Sequence, residues 1–257
     1  MVKGKRHKLI LEILHQGTML STKDFLEAFR SVDGTVSESS LRRDLRDLEE
    51  RGMIAIEHGC ILPAQPADPY RRQNGGDPFL PEKWAIGRKA AETVHEGETI
   101  VLDSGTTVLE LVRALDPKLH ITCITNDLPI ALELSTKPHI ETIVLGGSLN
   151  VRDRALYGSF AIQILKTFHA QKVFLGTAGI SRDMGITNSN LSLLQVRKEM
   201  ISVAEKVVVL ADSGKFEKTG FASVSPLESV DLLVTGANLR EDLRQMLSSL
   251  GVEAVYA

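Results

Sequence analysis

The sequence predicts an α/β protein in two parts, an N-terminal winged helix-turn-helix followed by an open, mostly parallel α/β sheet. Three observations carry that prediction. Five of the nine prolines, Pro63, Pro66, Pro69, Pro78 and Pro81, fall within nineteen residues that also hold Gly75 and Gly76. Ahead of them apolar residues recur at helical spacing, and beyond them seven short β-rich runs alternate with amphipathic stretches. Proline fixes φ and removes a backbone donor, so the proline-containing stretch forms neither a long helix nor a central strand. The expected division is a winged helix-turn-helix over 1–62, a linker over 63–82 and a sensor domain over 83–257.

Composition sets the outer bounds. A chain of 257 residues with 43% hydrophobic and 25% charged residues is that of a folded globular protein. No apolar run reaches the roughly 18 to 20 residues that span a bilayer, so no membrane association and a cytoplasmic location are expected. The net charge of -3 hides a segregation: residues 1–62 hold ten basic and ten acidic residues, whereas residues 84–257 hold 17 against 20. Cys60 and Cys123 offer neither a disulfide framework nor a zinc pattern. His120, His139 and His169 have no spacing for metal ligation. Neither Gly-x-Gly-x-x-Gly nor a Walker pattern occurs, so no nucleotide cofactor and no metal are expected.

In the first part, Leu9, Ile10, Ile13 and Leu14 share one helical face, stopped by Gly17. A second helix begins after Ser21 or Thr22 and carries Phe25, Leu26 and Phe29. The third starts near Ser37, a good N-cap, ends at Gly52, and buries Leu41, Leu45 and Leu48. At 100° per residue, Ser39, Arg43 and Arg46 then point away from the buried stripe, with Arg42 beside them. Met53 to Leu62 reads as a short hairpin around His58-Gly59. Three helices and a hairpin make a winged helix-turn-helix, whose last helix enters the major groove of duplex DNA. The candidate DNA contacts are Ser37, Ser39, Ser40, Arg42, Arg43, Arg46 and His58. Lys3, Lys5, Arg6 and Lys8 form a second basic group suited to phosphate. The competing reading of the helix arginines is a solvated face paired with Asp44, Asp47, Glu49 and Glu50.

In the second part, the β-rich runs are Thr99 to Leu102, Ile121 to Thr125, Thr142 to Leu145, Lys172 to Leu175, Val207 to Leu210, Asp231 to Thr235 and Glu253 to Tyr256. Continuous apolar strands alternating with helices imply a parallel sheet covered on both faces. Small and polar residues follow those strands, and ligands of open α/β sheets bind at that carboxyl edge. The sharpest element is Asp103-Ser104-Gly105-Thr106-Thr107. Glycine permits close backbone approach there, and a helix beginning near Thr107 offers unpaired N–H groups to an anion. An ordinary βα turn is the competing reading. Asp103, Ser104, Gly105, Thr106, Thr107, Asn126, Gly147, Arg152, Gly176 and Lys215 are the candidate effector residues, and a small phosphorylated ligand is the candidate effector.

These residues resemble the DeoR family of bacterial transcriptional regulators over almost the whole chain. The family's signature, valine-serine-glutamate-x-threonine-isoleucine-Arg-Arg-Asp-Leu, is met by Val36 to Leu45, which reads Val-Ser-Glu-Ser-Ser-Leu-Arg-Arg-Asp-Leu. Asp103 to Thr107, Thr125-Asn126, Gly146-Gly147, Gly158, Gly185-Ile186-Thr187 and Asp212-x2-Lys215-Phe216 follow in the family's order. The resemblance implies a sensor domain similar to ribose-5-phosphate isomerase, with a sugar phosphate or related metabolite as effector and repression of a carbohydrate-metabolism operon as the activity. Asp103, Gly105, Thr106 and Thr107 match the phosphate loop, Asn126 and Gly147 the adjacent wall, and Lys215 the lysine of the pattern. Ala55 and Cys60 stand where the family's wing carries arginine and a second glycine, and Leu193-Leu194 where it carries Glu-Ala. The alternative is a sugar-phosphate isomerase-like enzyme, whose acidic stretch after the paired glycines is replaced here by Ser148-Leu149-Asn150. An operator-bound homo-oligomer, dimer or tetramer, is expected because symmetric operators match symmetric proteins.

Overall fold

The structure is a computed structural model that describes residues 6–7, 9–11, 13, 20–32, 36–50, 54–57, 60–63, 77–216 and 218–257. The chain divides into two compact units, Met1–Asp77 and Pro78–Ala257.

In the first unit, residues 6–7, 9–11 and 13 are helical, and helices follow at Thr22–Val32 and Glu38–Glu50. Strands β1 (Leu20–Ser21), β2 (Ile54–Glu57) and β3 (Cys60–Pro63) form an antiparallel sheet in the order β1-β3-β2. The β2–β3 pair is the expected hairpin, with Ile54 opposite Pro63 and Glu57 opposite Cys60. The short β1 completes the sheet and is not signalled by any alternating pattern. Ile10, Phe25, Leu26, Phe29, Leu41, Leu45, Leu48, Ile54 and Ile61 form one core, so the second and third helices bury the stripes their spacing defines. Of the first helix's stripe, Ile10 is buried, Leu9 and Ile13 are half-buried against the core, and Leu14 lies outside the described residues.

The second unit is built on seven parallel strands. They are β4 (Thr99–Leu102), β5 (Ile121–Thr125), β6 (Ile140–Val144), β9 (Ala170–Gly176), β12 (Ala204–Ala211), β14 (Leu232–Thr235) and β15 (Ala254–Tyr256). Their order is β15-β14-β12-β9-β4-β5-β6, and every neighbouring pair is parallel. Each of the seven overlaps one of the β-rich runs of the sequence, with β6 beginning two residues earlier and β9 and β12 running longer than their runs. From Val207 to Ala211 every residue of β12 is buried, as a strand covered on both faces requires. One face is filled by Val101, Val173, Leu175, Val207, Val209 and Leu233 against Val196, Met200 and Leu247 from the helices Leu191–Ser202 and Glu241–Ser249.

Two antiparallel pieces were not legible as strands. The strands β7 (Ser148–Asn150) and β8 (Ala155–Tyr157) pair as a hairpin, and β10 (Gly179–Ser181), β11 (Gly185–Asn188) and β13 (Ala222–Ser225) pair in the order β10-β11-β13. They are three or four residues long and of mixed polarity, too short for alternation to register.

One boundary is corrected. The expected linker ran to residue 82, but Leu80–Glu82 form the first turn of the helix Leu80–Ala91. Proline needs no N–H in a first helical turn, so Pro81 opens this helix instead of excluding it. Residues 64–76 of the linker lie outside the described residues.

Candidate functional site

The helix Glu38–Glu50 is started by Ser37, whose Oγ accepts from the Ser40 N–H at 3.4 Å and whose carbonyl accepts from the Leu41 N–H at 3.1 Å. The Ser37 hydroxyl also donates to Ser40 Oγ at 3.0 Å. Leu41, Leu45 and Leu48 are buried, and Ser37, Ser39, Arg42, Arg43 and Arg46 are exposed. Arg42 donates to Glu38 Oε1 at 2.9 and 3.1 Å, and Arg30 donates to Glu38 Oε2 at 2.8 Å. Arg43 and Arg46 have no ion-pair partner among the described residues. The expected cationic face therefore exists, with Arg42 engaged at its edge.

Two assignments change. Arg6 was grouped with phosphate-facing cations, but its guanidinium forms an ion pair with Asp44 at 2.6 Å. Asp44 belonged, on the competing reading, to a solvated face, yet it is buried and also lies 3.4 Å from His7 Nε2. Burial works against ionisation of Asp44, but the hydrogen bond and charge of Arg6, with His7, hold its carboxyl below the ordinary value. This pair pins the recognition helix to the first helical segment. His58, Lys3, Lys5 and Lys8 lie outside the described residues.

In the second unit the chain leaves β4 toward β5 on one side and later places β9 on the other. The β4/β9 junction is thus the topological switch point, the place at the carboxyl ends of the strands where open α/β sheets bind their ligands. Asp103 to Thr107 occupy that junction. Gly105 caps the helix Thr106–Ala114 at φ +149°, a region that L side chains rarely enter. The first intrahelical bond runs from the Leu109 N–H to the Gly105 carbonyl at 3.0 Å, so the amides before it need partners from outside the helix. Ser104 and Thr107 are buried, while Gly105 and Thr106 are half-buried.

Asp103 was expected to contact the ligand, and the structure turns it inward instead. It is 0% exposed, its Oδ1 accepts from Arg197 Nε at 2.9 Å, and its Oδ2 accepts from the Gly176 N–H at 3.1 Å. Burial pushes its carboxyl up, and the Arg197 guanidinium and the Gly176 amide draw it back. Gly176 also serves the loop, because a Cβ there would lie 3.2 Å from the Ser104 carbonyl oxygen. Both residues hold the loop from behind.

Asn126 follows β5, beside β4. Its Nδ2 donates to the Leu156 carbonyl at 2.8 Å, and its buried Oδ1 has no hydrogen-bond partner. Gly147 lies beyond β6 at φ +138°, where a Cβ would press on the Tyr157 carbonyl oxygen at 2.3 Å. Arg152 is exposed in the β7–β8 turn. Asp153, next to it, is contacted by Asn190 Nδ2, which joins this turn to the N-cap of the helix Leu191–Ser202. Lys215 is half-buried in the 3-10 turn Ser213–Lys215 after β12, separated from β4 by β9.

Sequence reasoning missed three residues at this edge: Arg197, Glu82 and Lys83. Arg197 is 94 positions from Asp103, beyond any local pattern. Glu82 accepts from the Ser213 N–H at 2.6 Å and from Ser213 Oγ at 2.9 Å, fixing the turn that carries Lys215. Lys83, 6% exposed, lies 3.7 Å from Asp212 Oδ2, a buried carboxylate oxygen without a hydrogen-bond partner. Asp212 stood in the quoted Asp-x2-Lys pattern, whereas Glu82 was hidden by the misplaced linker end, and Lys83 lies far along the chain from Asp212, beyond any local pattern. Cys123 is buried, and burial pushes its thiol up to about 12. Among the described residues no group of three or more His, Cys, Asp or Glu is placed to hold a metal ion, and no helix is long and apolar enough to cross a membrane.

A helix-turn-helix with an outward cationic helix, followed by a doubly covered parallel sheet with a polar switch point, defines the class of sensor-coupled DNA-binding regulators. The chain belongs to the DeoR family of transcriptional regulators: residues 6–66 match the DeoR-like helix-turn-helix domain and residues 79–237 the DeoR C terminal sensor domain. It is 34% identical over 254 residues to the HTH-type transcriptional repressor GlcR of Bacillus subtilis (strain 168), covering 98% of this chain and 96% of that one. It is 33% identical to the HTH-type transcriptional regulator GlpR of Haloferax volcanii, covering 85% and 86%. The Glycerol-3-phosphate regulon repressor of Escherichia coli (strain K12) is 28% identical, covering 96% of each chain. Among solved structures, ribose 5-phosphate isomerase A from Methanocaldococcus jannaschii overlays on 52% of this chain and 53% of its own, with 17% identity and a TM-score of 0.39. The family is one of regulators, and the chain is not an enzyme.

Proposed function

We propose that the protein represses a carbohydrate-metabolism operon by binding its operator through Ser37, Ser39, Ser40, Arg42, Arg43 and Arg46, and that a phosphorylated sugar or related metabolite bound at the sheet's carboxyl edge controls it. The observation that carries the sensor half is the amino end of the helix Thr106–Ala114, opened by Gly105 at the β4/β9 switch point. Backbone amides with the Thr106 and Thr107 hydroxyls supply donors for three phosphate oxygens. Lys215 supplies cationic charge from the neighbouring strand end, and Asn126, Gly147 and Arg152 form the opposite wall. The names of the relatives support the repressor reading and the phosphorylated ligand. Two copies reading a symmetric operator complete the reading.

A thermal-shift screen against phosphorylated metabolites identifies the effector, because a ligand selective for the native state raises stability by mass action. Operator titrations with and without that effector then test the site. Lys215→Ala is expected to raise the half-effective concentration by about 10-fold, the loss of one charge-assisted hydrogen bond, with operator affinity in the absence of effector unchanged. A mutant responding at the wild-type concentration removes Lys215 from the site.

A further inference from the structure

We propose that Arg197 is the positioning residue of the effector loop: without touching the ligand, it fixes the Ser104–Gly105 peptide so that its N–H faces the anion. The inference rests on the reading of Asp103 to Thr107 as an anion site.

Arg197 lies on the helix Leu191–Ser202 and is 7% exposed. Its Nε donates to Asp103 Oδ1 at 2.9 Å and its Nη2 to the Ser104 carbonyl oxygen at 3.4 Å. A planar fork that holds a side chain and the next backbone carbonyl together fixes both the strand end and the peptide that follows. The other side of Asp103 is closed by the Gly176 N–H, and the Asp103 N–H donates to the Phe174 carbonyl at 3.0 Å. The first residue of the loop is therefore tied to β9 and to the helix Leu191–Ser202 at once.

The orientation of one peptide follows. The chain contains no cis peptide bond among the described residues, so the Ser104 C=O and the Gly105 N–H point in opposite directions within one peptide plane. With the carbonyl drawn back to Arg197, the Gly105 N–H is turned away from Arg197, toward the proposed anion site. Glycine at 105 accepts either orientation of that peptide, because the left- and right-handed regions are nearly equal for it. Nothing intrinsic to the loop selects the anion-receiving state. If the peptide flipped, a carbonyl oxygen would face the anion, replacing attraction by repulsion. Arg197 supplies the selection. Its own charge is matched by Asp103, so its effect on anion affinity arises through geometry more than through net charge.

The helix has a second attachment. Asn190, its N-cap, contacts Asp153 in the β7–β8 turn. Asn190 and Arg197 are seven residues apart, two helical turns, and so share one face. One rigid helix thus holds the loop at one point and the turn that carries Arg152 at another.

The test uses the full chain and inorganic phosphate as probe, at constant ionic strength made up with chloride. Binding is followed by calorimetry and by the Gly105 amide resonance. Wild type is expected to bind saturably and to shift that resonance. Arg197→Met is expected to bind about 10-fold more weakly or worse, the usual loss when a partner that orients a binding group is removed, and to leave the Gly105 resonance unmoved. Arg197→Lys keeps the charge without the fork and is expected to fall between the two. Both are read at a temperature where far-ultraviolet circular dichroism matches wild type, so a purely structural role leaves the affinity of the folded fraction unchanged. Should the methionine variant not fold, the lysine variant decides alone. Wild-type affinity in either variant overturns the role of Arg197 while leaving the anion site standing. Failure of wild type itself to bind phosphate overturns the anion site and this inference with it.

Discussion

The two units place their charges in opposite ways. On the recognition helix Arg43 and Arg46 stand exposed, whereas Asp103 and Arg197 beside β4 and Lys83 and Asp212 beside the end of β12 are all buried. The difference follows from the partners. Duplex DNA is a long polyanion met from outside, and exposed cations reach it at little desolvation cost. A small phosphate is held best by backbone amides in a dry site, and buried side chains must orient those amides. Charge in the first unit is displayed, and charge in the second is spent on geometry.

The largest expected effect breaks that comparison on the sensor side. Asp103→Ala leaves the Arg197 guanidinium buried without its carboxylate. The expected cost is about 3–5 kcal/mol of stability, as for any buried ion pair that loses one partner. Thermal unfolding of the full chain reads it as a lowered transition of the sensor unit. Arg43→Ala, by contrast, is expected to change stability by less than about 0.5 kcal/mol. Equal shifts in the two variants would falsify the contrast between displayed and buried charge.

The same contrast governs what the sequence revealed. The recognition helix was legible because Leu41, Leu45 and Leu48 fix a period, and a period states which residues face outward. The seven strands were legible because burial on both faces makes them continuously apolar, as at Val207 to Ala211. The loop Asp103 to Thr107 was legible as composition, but the roles within it were not. Asp103 reads as a polar residue at a strand end, and only its contact with Arg197, 94 positions on, shows that it faces inward. Arg6 and Asp44 were misassigned for the same reason, since a long-range ion pair leaves no local signature. Glu82 was obscured by Pro81, which suits a helix start as well as a linker.

An intermediate effect sharpens the comparison from the DNA side, where one buried charge does occur. Asp44 is held below its ordinary carboxyl value by Arg6 and His7, against the opposing effect of burial. A carboxyl whose folded value is depressed contributes stability above its unfolded value, near pH 4, and that contribution is lost as pH falls through the folded value. Asp44→Asn is expected to lower the stability of the first unit by about 1.5–3 kcal/mol at pH 7 and to flatten its loss in acid. Hydrogen exchange at the Leu41 and Leu45 amides, measured at pH 7 and in acid, reads both. Exchange rates equal to wild type at pH 7 would mean that the Arg6 contact contributes nothing to holding the recognition helix.

The smallest effects separate the arginines of the displayed face, and they appear only in operator binding. Arg43 stands on the outward line with Ser39, and if it reads a base its removal is expected to cost about 1–3 kcal/mol of specific affinity and relax selectivity at one position. Arg42 is already engaged by Glu38, so DNA must compete with that contact, and Arg42→Ala is expected to cost less than Arg43→Ala. Arg46 lies one turn further along the helix, away from the end that enters the groove, and suits a phosphate contact. Its removal is expected to weaken binding to specific and random duplexes alike. The dependence of log affinity on log salt is then expected to become shallower by about 0.9, the release of one counterion. Electrophoretic titrations at several salt concentrations, on the best operator and on a scrambled duplex, distinguish these roles. If Arg46→Ala leaves the salt slope unchanged but alters base preference, the two residues exchange assignments: Arg46 reads the sequence and Arg43 meets the backbone.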